Sequence, residues 1–413
     1  MPRIAPLLGG LTLFATLAAA AFASTPIDQR RQLSEMLGLP PRGGALHAEA
    51  RGTLTHDGLV IEKWVLTTEP GSRMPALLYR PAGVTGRMPA LALTHGHGGS
   101  KSRVFNQYAA QLYARLGLAV VVIDPIGEEE RHIAGKLGTR AHDDAKADAR
   151  AAAAGRLIMG KLVFDTMRAI DWLLTRSDID PARVGAGGVS NGGAQATWLA
   201  ALDPRIKAAV VGGWAYDDVV LPTKLCQRVP FTKMRAQMDW PAFIALAAPH
   251  CAIMTANGDS DEVIDMGDRA AWGRNAAFLH AARAAWPAGG PEPLAAFLEP
   301  AGGHRPYLSY RDVVLWIQQQ LGTPAMDAAA IRRLPTIKSG EWCDRNGVRL
   351  EGAMNTEHHQ RGATIIDLGL RPLSTEALAV LKTDEKGSPD FTIEGWLDQI
   401  EGKRGTPGSG QTR

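Results

Sequence analysis

From Leu59 onward, short apolar runs alternate with longer stretches whose apolar residues recur every three or four positions. The short runs read as strands and the periodic stretches as amphipathic helices. Strands are expected at 59–66, 76–79, 90–94, 119–123, 184–189, 208–212, 252–256 and 294–298. Helices are expected near 104–116, 157–175, 192–202, 267–285 and 308–321. Strand followed by crossover helix builds a parallel sheet covered on both faces. The expected fold is therefore α/β, with an eight-stranded, mostly parallel sheet between two helical layers. The turn Asp178-Ile179-Asp180-Pro181 separates the second long helix from the strand at 184–189.

Two stretches break the alternation. Residues 214–249 form a long insertion rich in proline, aromatic and basic residues, and a loop of that length in a compact domain usually shapes a binding site. Residues 323–413 are weakly periodic and read as a small C-terminal extension, with roughly the last dozen residues disordered. The main domain is thus expected over 59–322, preceded by a segment at 24–58.

Residues 1–23 carry one positive charge at Arg3, an apolar run from Ile4 to Phe22 and the ending Ala21-Phe22-Ala23. That is the layout of a secretory signal cleaved after Ala23, and it implies a secreted or periplasmic protein with no stable membrane association afterwards. An uncleaved anchor is the competing reading, because the run is long enough to span a bilayer. No later run of 18 apolar residues suggests a further span.

Charge narrows the partners: 45 Lys plus Arg against 42 Asp plus Glu leaves no basic stripe, so nucleic acid is not expected. The three cysteines, Cys226, Cys251 and Cys343, lack the paired spacing of a zinc site and read as buried thiols or one disulfide.

The chemistry concentrates in Gly188-Val189-Ser190-Asn191-Gly192, a G-x-S-x-G sequence lying between an apolar strand and a helix. A sharp strand-to-helix turn forces the serine into a strained backbone and points its Oγ out of the sheet, and flanking glycines leave room for it. A serine hydroxyl needs a base, and the base needs a carboxylate to orient it. On this chain order the base follows the last strand, which selects His304 in the loop Gly302-Gly303-His304, while His280 falls in a helix and His358-His359 in the extension. The carboxylate follows the seventh strand, where Asp261 is the first choice and Asp259 the alternative. The glycine-rich turn His95-Gly96-His97-Gly98-Gly99 after the third strand would supply one oxyanion N–H from His97, and Asn191 the other. Metal binding by the rings of His95 and His97 is the competing reading, and neither a metal nor a cofactor is expected. In the insertion, Trp214, Tyr216, Phe231 and Trp240 are candidate platforms for a sugar ring, with packing as the alternative role.

These motifs, together with Asp124-Pro125-Ile126-Gly127-Glu128, the stretch 168–173 leading to Asp180-Pro181-Ala182-Arg183-Val184-Gly185, and Gly303-His304, resemble the bacterial acetyl xylan esterase and dienelactone hydrolase-like branch of the α/β-hydrolases. The resemblance spans about 59–321. It implies hydrolysis of carboxylic esters, often acetyl or related groups on plant polysaccharides, by a Ser-His-Asp acyl-enzyme route without a cofactor. Dienelactone hydrolases proper carry cysteine where this chain has Ser190, and glucuronoyl esterases carry arginine where it has Asn191. The Ser-Asn-Gly-Gly elbow is also similar to that of prolyl oligopeptidases, so a serine peptidase is the second reading. A binding protein on a hydrolase scaffold is the third.

Overall fold

The computed structural model describes residues 25–43, 46–219, 225–264, 269–289, 291–350 and 355–404, with no side-chain description for 225–229 and 269. The proposed signal at 1–23 and the end of the tail lie outside these. Among the described residues nine strands form one sheet: β1 (Ala48–His56), β2 (Leu59–Glu69), β3 (Ser72–Pro81), β4 (Met88–Thr94), β5 (Ala119–Ile123), β6 (Ile179–Val189), β7 (Ile206–Gly212), β8 (Ala252–Gly258) and β9 (Leu294–Glu299). Their order is β1-β2-β3-β5-β4-β6-β7-β8-β9. The pairs β1–β2, β2–β3 and β3–β5 are antiparallel and every other pair is parallel.

All residues of β4 and β5 are buried, as expected of central parallel strands covered by helices on both faces. Helices Ile158–Thr175 and Asn191–Leu202 pack on one face through Val163, Ile170, Trp198 and Leu199, and helices Val104–Arg115 and Arg311–Leu321 on the other through Leu112, Tyr113, Val314 and Ile317. The eight expected strands are all present. The ninth, β1, falls in the 24–58 segment, where its mostly exposed and polar sequence leaves little apolar signature for an edge strand. The same segment holds helix Pro26–Leu37, which buries Leu33 and Leu37 in the core and is capped at Thr25, whose side chain accepts from Asp28 N at 3.2 Å.

The extension packs on the domain. Ile331, Ile337, Trp342, Ile365, Leu378 and Phe391 share one apolar cluster with Leu77, Leu91, Val120 and Val210 of the sheet. Trp342 Nε1 donates to Leu370 O at 2.8 Å, and a short antiparallel pair, Thr336–Lys338 with Thr364–Ile366, knits the segment together. Cys251 and Cys343 are buried thiols, and no helix among the described residues is long and apolar enough to cross a membrane.

The chain leaves β4 toward β5 on one side, and β6 lies on the other. Such a reversal opens a crevice at the carboxyl ends of the strands, where open α/β sheets place their ligands. The turn 95–99 and Ser190 both emerge there, since Thr94 sits beside Gly188 in the β4–β6 register.

Candidate active site

Ser190 has φ 65° and ψ −125°, a left-handed conformation that an L-residue adopts only when its surroundings enforce it, at roughly 1–3 kcal/mol. Its N–H donates to Gly212 O at 2.9 Å, and its C=O accepts from Ala194 N at 3.0 Å, opening the helix Asn191–Leu202. The glycines on either side are sterically required. A Cβ on Gly188 would meet Thr94 Oγ1 at 2.3 Å and Thr94 O at 2.5 Å, and one on Gly192 would meet Thr94 O at 2.6 Å. Thr94 Oγ1 donates to Gly192 O at 2.7 Å, so one side chain of β4 ties the turn from inside. Gly96 closes the other flank: a Cβ there would lie 3.2 Å from Ser190 Cβ.

His304 follows β9 in a buried loop, and its Nδ1 lies 2.7 Å from Asp261 Oδ2. The Asp261 carboxylate is fully buried, and its other oxygen accepts from Val263 N at 3.0 Å and Ile264 N at 3.4 Å. A buried carboxylate held in this way fixes the imidazole's tautomer and leaves Nε2 free to act as a base. The ring packs against the turn after β7, where a Cβ on Gly213 would meet His304 Cε1 at 2.8 Å and Val189 Cγ1 at 3.0 Å. Asp259 is half-buried and accepts from Ser260 Oγ at 3.0 Å; it is not the carboxylate at the imidazole.

The C-terminal extension clamps both loops. His304 N donates to His359 Nδ1 at 3.2 Å, Arg305 Nε donates to His358 O at 2.9 Å, and His358 Nε2 lies 3.0 Å from Ser260 O. Both histidines lie in the extension, and their contact with these loops depends on folding, not on any local pattern.

In the turn after β4, His95 is buried, with Nε2 2.6 Å from Ile123 O, and burial lowers its pKa to about 4. It serves as a neutral structural strut. His97 is partly exposed and its Nε2 lies 2.8 Å from Asp143 Oδ1. Asn191 is buried, and its Nδ2 lies 3.4 Å from His142 Nε2. His142 and Asp143 belong to a short turn, Ala141–Asp143, which no motif in the sequence singled out.

Among the described residues, two clusters offer metal-ligand atoms within 4.8 Å of one another. In the first, Asp124, Glu129 and Glu130 surround Lys101 Nζ at 2.8, 2.5 and 2.8 Å, so an ammonium already fills the centre. In the second, formed by His97, His142 and Asp143, the imidazoles stack within 8° of parallel with centroids 5.3 Å apart. Asp143 Oδ1 lies 2.8 Å from His97 Nε2 and 3.8 Å from His142 Nε2, so a carboxylate oxygen sits where the two rings converge.

The four aromatic residues expected as sugar platforms are buried instead. Trp214, Tyr216, Phe231 and Trp240 are at most 1% exposed and pack edge-on or tilted against one another, with Trp198 and Phe243 beneath. Their large apolar area drives them into the core, and no face is left for a sugar.

Residues 63–213 match the family model for acetyl xylan esterase. That stretch includes the 95–99 turn and Ser190, while Asp261 and His304 lie beyond it. YtaP of Bacillus subtilis, which its name places among the hydrolases, is 28% identical over 195 residues, covering 44% of this chain. The chain spans 62% of the length of that relative and of the two Mycobacterium tuberculosis proteins it matches. Among solved structures, acetyl xylan esterase 1 from Thermoanaerobacterium sp. JW/SL YS485 superposes with a TM-score of 0.50 at 18% identity, covering 72% of this chain and 93% of that one. Glucuronoyl esterase from Solibacter usitatus gives 0.51 at 15% identity, covering 72% and 91%. The chain thus has the α/β-hydrolase fold, and over residues 63–213 it resembles the acetyl xylan esterase branch of that superfamily.

Proposed function

We propose that this protein is a serine carboxylic-ester hydrolase that removes an acyl group, acetyl first among the candidates, from a carbohydrate or similar small alcohol. The observation that carries the reading is the buried Asp261–His304 pair, set against Gly213 next to the β6 strand that ends in the strained Ser190. In this mechanism Ser190 Oγ attacks the ester carbonyl as His304 Nε2 takes its proton, while Asp261 stabilises the imidazolium that forms. The N–H groups of His97 and Asn191 receive the developing oxyanion; one such donor is worth about 3 kcal/mol of barrier. The imidazolium then protonates the departing alcohol, and water activated by the same histidine hydrolyses the acyl-enzyme. The family match supports an acetyl ester over the amide bond that a peptidase would cleave.

The leader at 1–23 supports export, so that the enzyme would meet its substrate outside the cytoplasm. Purified protein offered acetylated xylan, methyl-esterified and feruloylated polysaccharides and a peptide amide should release acetate fastest. Ser190→Ala should abolish turnover and labelling by a fluorophosphonate while leaving the melting temperature unchanged. Turnover that survives in Ser190→Ala would refute the mechanism, and preference for the amide would refute the substrate class.

A further inference from the structure

Both residues assigned to the oxyanion hole are gripped by one short turn from elsewhere in the chain. His97 Nε2 meets Asp143 Oδ1 at 2.8 Å, and Asn191 Nδ2 meets His142 Nε2 at 3.4 Å. The turn Ala141–Asp143 is itself fixed. Glu128, fully buried, accepts from Thr139 N at 3.1 Å and from Arg140 N, and Arg140 takes a left-handed φ of 55°. Arg140 Nε holds the other Asp143 oxygen at 2.9 Å. Burial lowers the His142 pKa to about 4, so its ring is neutral at ordinary pH. Its Nδ1, 3.9 Å from Glu128 Oε1, makes no hydrogen bond among the described residues, and its Nε2 faces the Asn191 amide at 3.4 Å.

The loop that carries His97 is closed by Gly99 N donating to Gly96 O at 2.9 Å and by Arg103 Nε donating to Gly98 O at 2.9 Å, and the Asp143 contact adds a hold on the His97 side chain itself. Oxyanion donors act only if preorganised toward the charge that develops. We propose that Asp143 and His142 are positioning residues that lock the two halves of the oxyanion hole to one rigid turn, so that both N–H groups point at the same oxygen. The proposal rests on the hydrolase reading of Ser190.

The role predicts a loss confined to the transition state. Asp143→Ala should lower kcat by roughly 10–100-fold, the range typical of residues that orient a reactive shell, with KM for the ester unchanged. Affinity for an aryl boronate, which mimics the tetrahedral adduct, should fall by the same factor. Asp143→Asn keeps a carbonyl oxygen for the His97 N–H and should restore most of kcat. His142→Leu, which removes the acceptor facing Asn191, should repeat the Asp143→Ala pattern. Unchanged kcat in Asp143→Ala, a rise in KM instead of a fall in kcat, or failure of Asp143→Asn to rescue would overturn the proposal. So would a transition metal bound one to one by the wild type, whose removal reproduced the loss, because the cluster would then be a metal site. A wild type that turns over no ester overturns the Ser190 reading together with this one; a wild type that does so beside an unaffected Asp143→Ala overturns this one alone.

Discussion

Ser190, the proposed nucleophile, and His304, the proposed base, are held in place by different forces. Ser190 is locked by close packing of backbone: Gly188, Gly192 and Gly96 approach Thr94, His95 and Val189 so tightly that no side chain fits. His304 also packs closely, against Gly213, but it is oriented by polar contacts, to Asp261 within its own half of the sheet and to His359, 55 residues further along the chain. A steric lock fails abruptly, because interiors are close-packed and cannot absorb even one methyl without displacement. A hydrogen-bonded clamp fails by degrees, because water or a neighbouring group replaces part of what is lost.

The sharpest way to break this contrast is Gly188→Ala. The new methyl would lie 2.3 Å from Thr94 Oγ1 and 2.5 Å from Thr94 O, and Thr94 belongs to a fully buried central strand that cannot retreat. A destabilisation at or beyond the usual overpacking range of about 1–3 kcal/mol is expected, with Ser190 misdirected in whatever folds. Chemical denaturation and fluorophosphonate labelling would show it. A stable, fully labelled variant would mean that the elbow is not sterically locked.

On the other side, Asp261→Asn should leave the fold intact and reduce kcat by about 10⁴, since the amide stabilises the wrong tautomer of the histidine. Asp259→Asn should leave kcat within a few-fold, because Asp259 contacts Ser260 and not the ring. Equal losses from the two would dissolve the distinction that the 2.7 Å contact draws.

How much of this was legible in the sequence follows the same division. The elbow was readable because its constraint is local: glycine at fixed offsets from a serine, between a strand and a helix, is a steric requirement written in consecutive residues. Chain order pointed to a pairing of His304 with a carboxylate after the seventh strand, but that the partner is Asp261 and not Asp259 shows only in the folded geometry, since a two-residue shift in a loop has no periodicity to betray it. His142, Asp143, His358 and His359 were not readable, because their roles depend on segments that folding alone brings together. The aromatic residues Trp214, Tyr216, Phe231 and Trp240 misled in the opposite direction. Their position in a long insertion suggested exposure, yet tertiary packing drew every one into the core. Strand β1 escaped because an exposed edge needs no apolar pattern.

Acid should expose the contrast thermodynamically. Burial lowers the pKa of His95 and of His142, both on the nucleophile side, from 6.5 to about 4. The unfolded chain therefore binds protons at these sites that the folded chain refuses. Stability rises with pH wherever the unfolded state holds more protons, so this contribution is complete above about pH 6.5 and is lost as pH falls toward 4. Urea midpoints should drop between pH 7 and pH 4.5. His142→Gln, which keeps a polar side chain without the titration, should reduce that drop. A slope unaffected by the substitution would place the acid sensitivity elsewhere, including at the half-buried His250, whose pKa partial burial also lowers to about 4.

The mildest perturbation is His359→Ala. Its Nδ1 accepts from His304 N, a backbone donor on the residue that carries the base, so truncation leaves that N–H unpartnered in a largely buried loop. Water can enter from the partly exposed His359 side, which limits the stability loss to about 1 kcal/mol. The catalytic effect should be a fall in kcat on the order of tenfold, because the imidazole keeps Asp261 but loses part of the support for its backbone. Adding His358→Ala removes the contact to Ser260 O in the acid loop as well, and residues that share one clamp should couple. The double variant should therefore lose less than the product of the two single losses. Strict multiplication would show that the tail supports the acid and base loops independently, and the extension would then be two local braces instead of one clamp.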